Sequence, residues 1–186
     1  MERIHLAIRL ILLIALGTIG CSSVYWFLYL ALPAMAALLI SRNAPGRYLA
    51  EDAPRIARVL RWLAAAYAYL WLLTDVFPGS DAPRSVELEV NPGGTPTTGS
   101  ALLRLVYSLP AVLLLAVLSL LAAVLWVAGA VAVLIWQRVP AAIAEYLSLT
   151  LRYQFRLVAY HLSLVERYPS LEEERATRRL PQSNAV

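Results

Sequence analysis

At 186 residues, 60% hydrophobic and 15% charged, the chain is far more apolar than a soluble domain of its size. Sixteen basic side chains, all Arg, against twelve acidic ones give a net charge of +4 with no basic cluster among exposed aromatics, which argues against nucleic-acid binding. A lone cysteine, Cys21, excludes an intramolecular disulfide and a cysteine-built zinc site.

Arg9 opens an uncharged run, residues 10–40, ahead of Pro45. As one helix its 31 residues would reach about 46 Å, against a hydrocarbon core of about 30 Å. Gly17, Thr18, Gly20, Cys21, Ser22 and Ser23 supply turn-tolerant residues midway, so the run is read as a membrane hairpin. The same stretch resembles a lipoprotein cleavage box, which would make Cys21 a lipidated N-terminus. The apolar residues 24–40 stand where a polar tether would follow such a cysteine, so lipidation is the lesser alternative.

Asp52 and Pro54 mark a helix start, and Arg55, Arg58 and Arg61 then recur on one side before the uncharged residues 62–73. Twelve residues are too few to span alone, so this helix is read as lying at the bilayer surface. The unit closes on Leu73, Asp75, Phe77 and Pro78. A polar linker follows, in which residues 86–90 alternate like a strand before the Asn91-Pro92-Gly93-Gly94 turn.

A second unit repeats the first. Arg104 opens the uncharged residues 105–137 and Pro140 follows, with an Arg-to-Pro spacing of 36 in both copies. This run, about 50 Å as a helix, is again read as a hairpin by analogy with the first, although residues 118–123 hold no Gly, Pro, Asn or Asp. From residue 145 to 165 a polar stripe of Glu145, Ser148, Arg152, Arg156 and Ser163 falls on one face of a helix, with Leu147, Leu151 and Phe155 opposite. Two arginines at a bilayer centre would cost roughly 2.5–3.5 kcal/mol each, whereas at the surface they reach headgroups almost freely. The helix is therefore also read as interfacial. Tyr168 and Pro169 close the unit, 91 residues after Phe77 and Pro78, and residues 171–186 form a charged tail.

The expected fold is an all-α membrane protein of two tandem repeats, each a long apolar helix or helical hairpin followed by an Arg-bearing amphipathic helix. Its boundaries are 1–79 and 101–170 for the repeats, 80–100 for the linker and 171–186 for a partly disordered tail. The aromatic residues Trp62, Tyr69, Trp71, Tyr153, Tyr160 and Tyr168 are read as interfacial anchors. Two hairpins with surface helices put every charged segment on one face, which the positive-inside rule makes cytoplasmic.

Arg104, Pro140, Arg152, Tyr153, Arg156, Tyr160, Tyr168 and Pro169, matched in the first half by Arg61, Trp62, Tyr69, Asp75, Phe77 and Pro78, carry a resemblance. The chain resembles a bacterial family of short integral-membrane proteins defined only as a domain of unknown function. Glu166 stands where that family's closing motif has Asp, and Ala65 stands where Arg156 has its counterpart. The resemblance implies a place in the bacterial inner membrane and no activity.

No catalytic constellation is legible. His5 and His161 are far apart without a metal-ligand spacing, and there is no phosphate loop or nucleophile elbow. His161 is read as a packing residue. The expectation is a non-enzymatic structural or accessory protein with neither metal nor cofactor. Arg55, Arg58, Arg61, Arg152 and Arg156 would contact anionic headgroups, with the bilayer, other membrane proteins or a second copy as partners. The alternative is a transporter or channel module built from inverted repeats; the lack of ionisable groups other than Tyr and Cys21 in the two runs argues against a proton or ion relay.

Overall fold

The computed structural model describes residues 24–43, 45–76, 97–166 and 168. Among the described residues every regular element is helical. In chain order these are α1 (Val24–Asn43), a helical turn at Pro45–Arg47 that continues into a π-turn at Tyr48–Asp52, α2 (Ala53–Leu70), α3 (Thr98–Tyr107), α4 (Leu109–Trp136) and α5 (Ala141–His161). The expected turn at residues 17–23, the Cys21 site, the linker strand at 86–90, Phe77, Pro78, Pro169 and the tail lie outside the described residues.

Pro54 sits in the first turn of α2, where its missing N–H costs nothing. Asp52 occupies the N-cap, yet its carboxylate accepts from Asn43 Nδ2 at 2.7 Å instead of from the helix. The bond ties the end of α1 to the start of α2. Downstream, Ala53, Ala57, Leu60, Ala64 and Ala68 form one stripe at helical spacing, and all are buried. Small side chains let a neighbouring helix come close, and the neighbour is α5, which contributes Leu151, Phe155 and Ala159 to the same core. Fully burying a Leu or Phe of this kind stabilises by about 1.5–3 kcal/mol.

α2 and α5 run antiparallel. Tyr48, just before α2, donates its hydroxyl to Leu162 O, just past the end of α5. At the other end, Leu72 lies beside Gly129, Val139 and Ile143, where α5 begins. Between them the rings of Tyr67 and Phe155 meet edge-on at 6.0 Å. Gly129 lies at this junction, where an added Cβ would meet Ile143 Cγ2 at 3.4 Å and Leu72 Cδ1 at 3.7 Å, ordinary packing distances.

The second apolar run does not fold into a hairpin. Thr97 and Ser100 form a reciprocal capping box that starts α3. The chain then bends at Ser108, where the bonds Ser108 N to Arg104 O and Val112 N to Ser108 O carry the helical path into α4. Pro110, in the first turn of α4, cannot donate and marks the break. From there α4 is continuous for 28 residues. The reason is local: residues 118–123 contain nothing that favours a turn, and Ser119 alone cannot pay for reversing a chain of Leu, Ala and Val. The reversal comes instead at Gln137, in the left-handed conformation with φ 56°, ahead of Pro140.

α4 is one helix long and apolar enough to cross a membrane. The helix of a soluble core would be mostly buried, whereas 11% of the most apolar stretch of α4 is. Leu113, Val117, Leu120, Val124 and Val127 all face outward, Leu120 with 73% of its surface exposed. α5 differs. Its apolar face was expected against a bilayer surface, but Leu147, Leu151, Tyr153, Phe155 and Leu157 are buried within the protein. Contact with α1, α2, α3 and α4 accounts for this.

Candidate functional site

Two arginine environments stand out, one on the surface and one inside. On α2, Arg55, Arg58 and Arg61 are exposed along one side of the helix, with Val59 and Trp62 exposed among them. None of the three has an ion-pair or hydrogen-bond partner among the described residues. Arg42, at the end of α1, and Arg47, paired with Glu51 at 3.1 Å, are exposed nearby in the chain. Arg152 on α5 is exposed and Arg156 half-buried. The opposite end of the α2–α5 pair carries Arg138 together with Asp75 and Glu145. The excess of arginine is at the end where α2 begins.

The buried site centres on Arg104, which is 7% exposed. One guanidinium nitrogen, Nη1, donates to Tyr160 O at 3.0 Å and to Val165 O, and the group stacks over the Tyr160 ring at 4.7 Å. These carbonyls belong to the last turn of α5 and the chain just after it, where the helix leaves acceptors unmet and its dipole favours a cation. Burial pushes the Arg104 pKa down, while Tyr160, Glu166 and Tyr48 pull it back. Tyr48 is buried, and burial with Asp52 nearby pushes its hydroxyl up to about 12, so it stays a donor to Leu162 O. His161 is buried in the same turn, its pKa pushed down to about 4 by burial and then by Arg104. Ser163 follows at φ 55°, with its hydroxyl buried and without a hydrogen-bond partner among the described residues.

From Arg104 a tyrosine register extends along α4. Tyr160, Tyr153 and Tyr146 are seven residues apart, and so are Arg104, Ala111 and Leu118. Tyr153 donates to Ala111 O at 3.4 Å and Tyr146 to Leu118 O at 3.2 Å, while Tyr160 meets Arg104. Equal steps in opposite directions are the register of antiparallel helices packed lengthwise.

This register corrects the reading of the aromatic anchors. Tyr153 and Tyr160 are interior packing residues, as is Tyr69, and none of the three offers its ring to headgroups. Trp62 and Tyr168 are exposed, and Trp71 is half-buried. The spacing of the tyrosines was visible in the sequence; their direction was not. Among the described residues no group of His, Cys, Asp and Glu is placed to hold a metal ion.

The family model of a domain of unknown function, DUF4389, matches residues 99–171, which contain α3, α4, α5 and the Arg104 site. No curated protein and no solved structure matches the chain.

Proposed function

We propose that this chain is a non-enzymatic structural or accessory protein of the bacterial inner membrane. In this reading it crosses the bilayer with α4 and holds anionic lipid headgroups on the arginine face of α2. The single observation that carries the reading is the outward apolar surface of α4 in one molecule with three exposed arginines on α2 that have no partner among the described residues. Dimensions agree with it. Tyr107 and Trp136, both exposed, bracket α4 about 43 Å apart at helical rise, close to the ~40–45 Å of a bilayer with its headgroups. Arginine forks suit phosphate, and Trp62 beside them suits the headgroup boundary. The positive-inside rule then turns the end with Arg42, Arg47, Arg55, Arg58 and Arg61 toward the cytoplasm.

The chain is further read as two tandem copies of one unit. Support comes from the 91-residue offset between the closing motifs and from left-handed residues at equivalent positions, Leu72 and Ser163, after α2 and α5.

The lipid reading is tested with the detergent-purified protein and vesicles of phosphatidylglycerol or phosphatidylcholine. Juxtamembrane arginines contribute about 1 kcal/mol each on anionic surfaces. The Arg55→Gln, Arg58→Gln, Arg61→Gln variant should therefore lose about 100-fold of the preference for phosphatidylglycerol. An unchanged preference in that variant, and again after adding Arg152→Gln and Arg156→Gln, sinks the proposal.

A further inference from the structure

The two faces of α3 differ in kind. Its one charged side chain, Arg104, is buried on the inner face with Ala101 and, at the helix end, Ser108. Ala101 joins Ala37 and Ile40 of α1 in the core. The outer face holds Leu102, Leu103, Val106 and Tyr107, each with more than half of its surface exposed. Past the bend at Ser108 it continues into Leu109 and Leu113, where the outward surface of α4 begins. From Leu102 to Trp136 that outer surface carries no charged side chain, since residues 105–136 have none and Arg104 is turned inward.

Such a surface is longer than a bilayer is thick. With Tyr107 and Trp136 at the two boundaries the midplane falls at residues 121–122, and Leu120 lies within about 2 Å of it along the axis. A straight continuation of α4 would carry Leu103 about 28 Å from the midplane. A bilayer with its headgroups reaches only about 20–22 Å from its centre. Leu102, Leu103 and Val106 would then stand in water as one apolar patch, which soluble surfaces seldom present without a partner. The bend offers another course. Pro110 has no N–H to donate to Val106 O, so the helix is not held straight there and α3 can lean toward the membrane plane.

The side of the bilayer follows from the buried site. Arg104 donates to Tyr160 O and Val165 O, and Tyr48, ahead of α2, donates to Leu162 O. Thus α3 and the start of α2 are tied to the same end of α5, the end with the excess of arginine. We infer that α3 is a second lipid-contact element, its outer face seated at the headgroup–acyl boundary of the leaflet that the α2 arginines meet. Its partner is the acyl chains just beneath those headgroups, reached by an amphipathic helix that sinks its apolar side about 5–10 Å. Holding Arg104 inward keeps the inserted face free of charge. The inference rests on the reading that α4 crosses the bilayer.

The experiment uses the full chain with Cys21→Ser and either Leu103→Cys or Leu120→Cys, spin-labelled and reconstituted in vesicles of phosphatidylcholine and phosphatidylglycerol. Depth is read from accessibility to oxygen against that to a water-soluble nickel chelate. The Leu120 label should lie near the midplane and the Leu103 label about 15–20 Å from it, favouring oxygen over nickel. Val106→Cys, also exposed, gives the same reading from a second position. A Leu103 label as open to nickel as free label in water, with Leu120 still deep, overturns the α3 contact and leaves the crossing of α4 standing. A Leu103 label shielded from both reagents also overturns it, because protein and not lipid then covers the face. A Leu120 label in water defeats the crossing of α4, and the α3 contact falls with it.

Discussion

Replacing Arg104 by Met removes the cation while keeping a flexible apolar side chain of moderate length. Two hydrogen bonds from a charged donor are lost, at Tyr160 O and Val165 O, each contributing about 1.5–3 kcal/mol. The stacking on Tyr160 adds about 0.5–2 kcal/mol. Against these stands the relief of desolvating a guanidinium, several kcal/mol, which is the same effect that pushes its pKa down. The net expectation is a destabilisation of about 3 kcal/mol, because Val165 O loses its donor and Tyr160 O keeps only Ser163 N. For a chain of this size that corresponds to a fall in Tm of roughly 6–12 °C. The assay is thermal unfolding in detergent followed by circular dichroism, with Arg58→Met as the comparison. Arg58 is exposed and has no partner among the described residues, so the same chemical change there should stay within about 0.5 kcal/mol. If Arg104→Met and Arg58→Met unfold at the same temperature, Arg104 does not hold the end of α5.

His161 has a folded pKa near 4 against 6.5 when unfolded, so it is neutral in the native state and the unfolded chain takes up the proton first. Its contribution is complete above about pH 6.5 and declines as pH falls toward 4, by about 3 kcal/mol in all. A pH series of unfolding midpoints on the native protein and His161→Leu should show a shallower acid slope in the variant; parallel curves contradict this. Ser163→Gly should stabilise by about 1 kcal/mol, since it relieves a left-handed backbone at φ 55° and removes a buried hydroxyl without a partner. Leu72→Gly relieves the same backbone conformation but strips a side chain packed on Val133, so it should destabilise by about 2 kcal/mol. Denaturant midpoints that move in the same direction for both would show that the backbone alone decides.

What was legible in the sequence was what local chemistry fixes. Pro54 placed the start of α2, and the apolar periodicity of residues 145–165 gave a helix that runs over Ala141–His161. Arg55, Arg58 and Arg61, which recur on one side of the helix in the sequence, are exposed on α2. The failures share a different cause. Arg104 looked like the charged edge of an apolar run, and its actual neighbours, Tyr160 and Val165, lie 56 and 61 residues away. A buried cation is acceptable only once those carbonyls are in place, so nothing near it in the sequence announces the role. Tyr153 and Tyr160 were read by composition, as aromatic residues are at membrane boundaries, while their seven-residue step was the sign of helix pairing. The bend fell at Ser108 and Pro110 and not in the middle of the run, because turn chemistry outweighs the symmetry of length.

The position of α5 also bears on how the molecule is made. Its residues Leu151, Phe155 and Ala159 complete the core that the alanine stripe of α2 begins, yet α5 is the last helix synthesised among those described. From the end of α2 at Leu70 to the end of α5 at His161 the ribosome adds 91 residues, about 5–20 s of translation. Throughout that interval Ala64 and Ala68 lack their partner, and Leu70 O gains its donor, Trp126 Nε1, only once most of α4 has been made. The first half is thus a bystander during its own synthesis, and any stop codon ahead of α5 yields a product with a sticky apolar seam, the kind of nascent surface that quality-control proteases recognise.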